Sequence, residues 1–435
     1  MTAASHRSAA APAASDAVTD HRGRPRVVVT GIGVKTPAGL TVADLWRTLL
    51  EARPMAAPIT LYDTSQHSVT YACEVRDFDP VPYVGPKEVR RTDRAALLGL
   101  AAAADAVADA TADADLGAEP VRCGVVGGSG VGGIRTLEDQ VITYADRGPD
   151  RVSPFLVPMM MANATAALIG IHHGFTGPNV AVATACTTGA NAVGEGARMI
   201  RDGTADVVVA GGTEASVSPV AMAAFTRMGA LSRNPDPARA SRPFDDDRDG
   251  FVMGEGAGFV VLESYERARA RGATIKGEVL GYGMTCDAHH ITAPLEDGAG
   301  ATACVEMALA DAGLDAEAIG HVNAHGTSTP LNDAAEAAAL AKVFGPKAVP
   351  VTSGKGVTGH MIGATGAVEA IAALLAANEG LVPPTANHER TDLPVDVVAG
   401  EPRSIPRAPA LSTSFAFGGH NVALVVGPAP GGDGE

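Results

Sequence analysis

Seven short segments of this 435-residue chain, RCGVVGG, NVAVATAC, DVVVAGG, GFVVLE, GHVNAHG, VPVTSGK and NVALVVG, are apolar almost throughout and do not alternate with polar residues. A strand with one wet face alternates, so strands of this kind belong to a sheet covered on both faces. Helix-prone stretches such as TTGANAVGEGARMIRDG and DAAEAAALAKVF lie between them, which places the chain in the α/β class. PRVVVTGIGVKTPAG reads as a further buried strand and turn, followed by a helix from Val42 to Glu51. Residues 87–113 read as one helix with Lys87, Arg90, Arg91 and Arg94 at its start. No repeat is visible in the sequence itself, where a duplication of the fold could be hidden.

Composition narrows the function. A chain with 46% hydrophobic and 19% charged residues can bury a large core, and its 4% aromatic content makes that core depend on small side chains packed closely. The formal net charge of −16 argues against nucleic acid or an anionic membrane as partner. No run approaches the length of a membrane span. Cys73, Cys123, Cys186, Cys286 and Cys304 form no CxxC or CxxH pair, so no structural zinc is expected and the setting is a reducing, cytoplasmic one. Residues 1–24 have no continuous apolar stretch of the signal-peptide kind and read as a flexible tail, as do 430–435. SRNPDPARASRPFDDDRDG (232–250) reads as a solvated surface loop.

Four stretches carry chemistry. In VATACTTGA, Cys186 stands between a strand and a helix opening on small residues; free N–H groups and the positive helix end there would lower the thiol pKa, although a structural cysteine at a tight turn fits the same letters. VNAHGTSTPLND places His325 after an apolar run, before the polar turn of Thr327, Ser328 and Thr329. In KGVTGHMIGATGAVEA, His360 lies in a glycine-broken segment between Lys355 and Glu369, where backbone can approach a ligand. In SFAFGGHN, Phe415 to Gly419 form either a plain turn and core plug or a gate with an N–H available to an oxyanion.

Taken together and in order, VATACTTGANAVGEGARMIRDGTADVVVAGGTEA, SRPFDDDRDGFVMGEGAGFVVLE, NAHGTSTPLND, KGVTGHMIGATGAVEA and SFAFGGHN resemble the β-ketoacyl-[acyl-carrier-protein] synthase II type of condensing enzyme over residues 26–427. The resemblance implies a thiolase-like fold of two similar α/β halves, residues 25–275 and 276–429, stacked as five layers and usually dimeric. It implies Cys186 as the acyl-accepting nucleophile and His325 and His360 as the pair that acts on malonyl-carrier protein. Lys355 would be paired with Asp333 and Glu369, and the oxyanion would be held by the N–H groups of Cys186 and Phe415, the latter also the gate. Thr327 and Thr329 would bind the pantetheine arm, and Val131 and Phe225 would line the acyl pocket. No free cofactor and no metal are implied, since substrates ride on acyl carrier protein. The product would be a 3-oxoacyl chain two carbons longer, in fatty acid or type II polyketide synthesis.

The chain departs from the family's usual GFGGTN and TKSMTGH at Ala416, His420, Gly354 and Gly356; these imply a stiffer gate and a looser Lys355 loop. Because carrier proteins are acidic, a basic docking area is needed, and Lys87, Arg90, Arg91, Arg151 and Arg227 fall near matching positions. The partner chain is a second copy or a chain-length-factor-like subunit. Three other functions are weaker. Gly128-x-Gly130-x-x-Gly133 follows a strand but no acid-ended strand follows it, against dinucleotide binding; no GxSxG elbow supports a hydrolase; and a thiolase would need a second cysteine near the C-terminal glycines. A non-catalytic chain-length partner would lack the nucleophile that Cys186 supplies.

Overall fold

The computed structural model describes residues 17–431. Its frame is an 11-stranded sheet made of β1 (Val27–Lys35), β2 (Cys123–Gly128), β3 (Asn179–Val182), β4 (Val207–Glu214), β5 (Gly256–Ser264), β6 (Gly277–Cys286), β7 (His321–Asn323), β8 (Pro350–Thr352), β9 (Asp396–Val397), β10 (Ala410–Ala416) and β11 (His420–Gly427). Across the sheet the order is β9-β8-β7-β10-β11-β6-β1-β5-β4-β2-β3.

That order contains a duplication. The first half runs β1-β5-β4-β2-β3, antiparallel for two pairings and parallel for the next two. The second runs β6-β11-β10-β7-β8 with the same sequence of directions. The halves meet where Val27, Val28 and Val29 of β1 pair with β6. Helices α2 (Arg94–Ala110) and α4 (Ala164–His173) cover the outside of the first half, and α7 (Ala299–Ala312) covers β6 and β11 of the second. Between the halves lie α5 (Thr188–Arg201) and α10 (Thr365–Glu379), so that helix, sheet, helix, sheet and helix layers succeed one another.

The two central helices occupy equivalent places and begin alike. Each follows a 3-10 turn, Ala185–Thr187 or Ile362–Ala364, whose first residue has a positive φ, 51° at Ala185 and 41° at Ile362. Each then opens on Thr-Gly-Ala. A Cβ on Gly189 would stand 2.7 Å from the Ala367 nitrogen and one on Gly366 would stand 2.7 Å from the Ala190 nitrogen, so glycine at both is what lets the helices cross. The core around this crossing is built mainly of Ala, Val, Ile and Leu, with Trp46 and Tyr282 its two aromatics.

Local expectations need four corrections. The 87–113 stretch is two helices, because Asp93 caps α2 through the Ala95 N–H at 2.8 Å and breaks the run before it. β3, expected to be buried, is a largely exposed strand at the sheet edge and pairs with β2 alone. The 232–250 segment is not a solvated loop throughout: Phe244 is fully buried and Arg242 and Asp245 form a buried ion pair at 2.8 Å. Within the stretch expected to be a tail, residues 1–16 lie outside the described residues, but Arg24 binds Asp20 at 2.7 Å and Asp311 at 2.8 Å. Of 430–435, only residues 430 and 431 are described.

Candidate active site

The duplication brings the chemistry together. Cys186 lies in the turn before α5, His360 just ahead of the matching turn before α10, and His325 in the loop after β7. All three are buried, and a sulfur or ring-nitrogen atom of each lies within 4.8 Å of the others'. His360 Nε2 is 3.1 Å from Cys186 Sγ, and its Nδ1 is 3.1 Å from the Thr365 hydroxyl. The two imidazoles meet edge to face with centroids 5.4 Å apart.

The thiol pKa runs against the sequence expectation. Burial pushes Cys186 up to about 12, Lys355 pulls it down, Glu214 pushes it up, and the backbone N–H groups of Phe417 and Cys186 itself pull it down. Burial is the largest of these influences and favours the protonated thiol. Burial also holds His325 and His360 well below the usual imidazole range, with Lys355 adding to both, so each ring is neutral.

Lys355 Nζ is 2.6 Å from Glu369 Oε1 and 3.3 Å from His325 Nδ1, and it also donates to the His325 carbonyl. An ammonium has donors only, so His325 Nδ1 accepts and His325 Nε2 carries the ring proton. Asp333 does not share this role. Its Oδ2 accepts the Phe244 N–H at 2.7 Å and Arg248 stands 3.8 Å away, because the buried 232–250 segment packs between. The acid that fixes the His325 loop is instead Glu336, which accepts the His325 N–H at 2.8 Å and the Gly326 N–H at 2.7 Å. Glu336 lies on α8 (Pro330–Phe344), one turn beyond Asp333 and buried with it, so that spacing alone does not tell the two acids apart in the sequence.

A cavity of about 500 Å³ opens onto this group. Val131, Phe225, Phe251 and Met228 line it, as do Thr327 and Thr329, whose hydroxyls are 2.8 Å apart. The expected sites Val131, Phe225, Thr327, Thr329 and Phe415 all line it. The backbone N–H groups of Phe417 and Cys186 act on the sulfur, while the Phe415 ring packs on His325 at 5.9 Å. β10 ends at Ala416, so the chain turns there and brings position 417 round to Cys186.

Comparison with known proteins accords with this geometry. Residues 24–268 match the family "Beta-ketoacyl synthase, N-terminal domain" and residues 276–389 match "Beta-ketoacyl synthase, C-terminal domain". The chain is 47% identical over 407 residues to 3-oxoacyl-[acyl-carrier-protein] synthase 2 of Synechocystis sp., covering 92% of this chain and 97% of that one. Among solved structures, the ishigamide ketosynthase/chain length factor superposes with a TM-score of 0.86 at 39% identity, covering 93% and 99% of the two chains. A type II polyketide ketosynthase bound to the hexaketide, in complex with its acyl-carrier protein, gives 0.84 at 28% identity over 93% and 100%.

The chain belongs to the β-ketoacyl synthase family.

The synthase is thus a condensing acyltransferase, and its departures from family pattern can be placed. Gly356 does not loosen the Lys355 loop: a Cβ there would be 2.9 Å from the Ala386 carbonyl oxygen, so glycine permits close packing. Ala416 keeps extended backbone while Gly418 and Gly419 take φ of 88° and 74°, which puts the turn of this loop in the two glycines. The Gly418 N–H donates to the Ile291 carbonyl at 2.7 Å, tying that loop to residues 287–294. The basic residues are not equivalent. Lys87, Arg90, Arg151 and Arg227 are exposed, whereas Arg91 lies over the Phe155 ring at 4.7 Å and 3.6 Å from Glu88. Arg227, on α6 (Pro219–Met228), is next to Met228 of the cavity wall. Sequence reasoning missed Glu214 as well as Glu336. Buried behind Cys186, Glu214 accepts from the Ser129 hydroxyl at 2.9 Å, Gly130 N–H at 2.8 Å and Gly363 N–H at 3.3 Å. Among the described residues no helix is long and apolar enough to cross a membrane.

Proposed function

We propose that the synthase joins a Cys186-bound acyl chain to malonyl-carrier protein by decarboxylative Claisen condensation, giving 3-oxoacyl-carrier protein, CO2 and free carrier thiol. The observation that carries this is the 3.1 Å approach of His360 Nε2 to Cys186 Sγ beside a second, donor-ready histidine. A thiol held near pKa 12 needs a base within reach, and the neutral His360 ring is that base.

In the first half-reaction the Sγ proton passes to His360 Nε2 as sulfur attacks the acyl thioester. The N–H groups of Cys186 and Phe417 stabilise the oxyanion. The carrier's C–S bond then breaks, and its thiolate takes the proton from Nε2. In the second, malonyl-carrier protein enters past Thr327 and Thr329, its carboxylate departs as CO2, and the electron pair left behind forms an enolate. The Nε2–H of His325 is poised for that oxygen. The enolate carbon attacks the acyl carbon, the C–S bond to Cys186 breaks, and the sulfur is reprotonated with one proton taken up from solvent.

Acyl carrier protein is the partner this requires, its phosphopantetheine arm replacing any free cofactor. A second chain of the same fold is supported by β3, whose apolar Val180 and Ala181 stay exposed at the sheet edge. The presence of Cys186 favours a catalytic chain over a silent chain-length partner, and a reducing cytoplasm suits its free thiols. Intact-mass measurement tests the proposal. Acyl-carrier protein should add one acyl group to the wild type and none to Cys186→Ala, and malonyl-carrier protein should then yield a carrier-bound 3-oxoacyl product. Failure to acylate would return the chain to a non-catalytic role.

A further inference from the structure

The two histidines are anchored by different means. His360 is paired main chain to main chain, its N–H donating to the Val252 carbonyl at 2.7 Å and its carbonyl accepting the Gly254 N–H at 2.8 Å. The His325 loop is held by side chains instead. Glu336 takes the His325 and Gly326 N–H groups, Lys355 donates to the His325 carbonyl, and the Ser353 hydroxyl donates to the Gly326 carbonyl at 2.8 Å. Behind this loop lies a buried turn, Arg242-Pro243-Phe244-Asp245.

The Asp245 N–H closes that turn on the Arg242 carbonyl at 3.2 Å, with Pro243 and Phe244 in its middle. Phe244 has a φ of 60°, at a turn position where glycine fits without steric cost. A bulky side chain there is an outlier, and outliers of this kind persist where the surroundings over-determine them, often at functional sites. The surroundings here are specific. The Phe244 N–H donates to Asp333 Oδ2 at 2.7 Å, the Arg242 N–H to the Ser328 hydroxyl at 2.9 Å, and the Ser241 hydroxyl to the Lys355 carbonyl at 2.7 Å. The Phe244 ring is fully buried and lies against the His325 loop, where a Cβ on Gly326 would stand 2.9 Å from its Cε2.

We propose that Phe244 is a positioning residue for His325: its ring, carried on a strained turn, props the loop at Gly326 so that the imidazole stands at its working depth in the cavity. This rests on the reading of His325 as the donor to the enolate oxygen. The same turn is tied to Ser328, beyond His325, and through Ser241 to Lys355, which imposes the His325 tautomer. One buried turn from the first half of the chain therefore holds both parts of the malonyl-acting group in the second half. The turn makes no corresponding bond to Cys186, so its influence falls on one half-reaction.

That selectivity is the test. Phe244→Leu keeps an apolar plug but shortens the prop. Malonyl-carrier decarboxylation, read as CO2 release in a Cys186→Ala background, should slow about tenfold, since a misplacement of about 1 Å can cost about a hundredfold. Single-turnover acylation by the enzyme with Cys186 intact should stay within about twofold when Phe244→Leu is added, because it uses Cys186 and His360. The 15N imidazole shifts of His325 should move and those of His360 should not. Ser241→Ala empties little space and decides the matter if Phe244→Leu does not fold; it should slow decarboxylation about threefold and leave acylation alone. A role in core filling alone would slow both half-reactions together. That outcome, or decarboxylation at the parent rate in the variant that decides, overturns the proposal. His325→Ala separates it from the reading beneath: normal decarboxylation there removes His325 as the enolate donor, whereas loss there beside a normal Phe244→Leu removes only the role of Phe244.

Discussion

Lys355 Nζ and Glu369 Oε1 are 2.6 Å apart, and neither side chain is more than 5% exposed. Removing one member of such a pair leaves a buried charge unpaired, which costs about 3–5 kcal/mol. Glu369→Gln should lower the denaturant midpoint accordingly and reduce condensation. Lys355→Met with Glu369→Leu should recover much of the stability while leaving condensation impaired, because the His325 tautomer is no longer imposed. Urea titrations of both forms check this; single substitutions costing under about 1 kcal/mol would show that the pair is not what holds the site.

Glu214 gives a pH dependence of stability. Burial raises its pKa from 4.5 to about 7, against the pull of the Ser129 hydroxyl and the Gly130 and Gly363 N–H groups. A carboxyl raised in the folded state favours the fold when protonated, so its contribution is complete below pH 4.5 and is lost as pH rises through 7. The unfolding free energy should fall across that window by up to about 3 kcal/mol from this residue, and Glu214→Gln should flatten the slope. Glu336, raised to about 6, acts in the same direction. An unchanged slope in Glu214→Gln would remove Glu214 from the account.

The parts of the site visible in the sequence were those whose residue type is itself the chemistry: Cys186, His325, His360 and Lys355 announce a nucleophile, two imidazoles and a cation in glycine-rich loops. What could not be read was direction. Phe415 and Phe417 are two letters apart, and only the end of β10 at Ala416 decides which N–H turns to the sulfur. Asp333 and Glu336 are both buried acids on α8, and which one faces His325 depends on where Phe244 inserts. The duplication left a trace of three letters, Thr188-Gly189-Ala190 and Thr365-Gly366-Ala367, because strand order is retained by backbone pairing and not by side-chain identity.

Cys186 should behave as a protonated thiol. Its pKa near 12 predicts that alkylation by iodoacetamide, followed on the Cys186 peptide by mass spectrometry, rises about tenfold per pH unit from 7 to 9 without a plateau. The exposed Cys286 serves as an internal comparison. A plateau below pH 8 at Cys186 would show a thiolate already formed, and with it that the end of α5 outweighs burial.

Carrier docking should depend on the basic residues unequally. The enzyme's charge of −16 repels an acidic carrier overall, so local cations must offset it at the approach to the cavity. Arg227 adjoins the Met228 wall and is free to meet a carrier, whereas Arg91 is already engaged by Phe155 and Glu88. Arg227→Glu should therefore raise KM for acyl-carrier protein several-fold, Arg90→Glu similarly, and Arg91→Glu less. None should alter KM for a small acyl thioester, which reaches Cys186 without a protein surface to bind. The rise should shrink with added salt, since these charges are exposed and screened within about 10 Å at 0.1 M. Equal effects on carrier-bound and small substrates would place the damage in the cavity rather than on its approach.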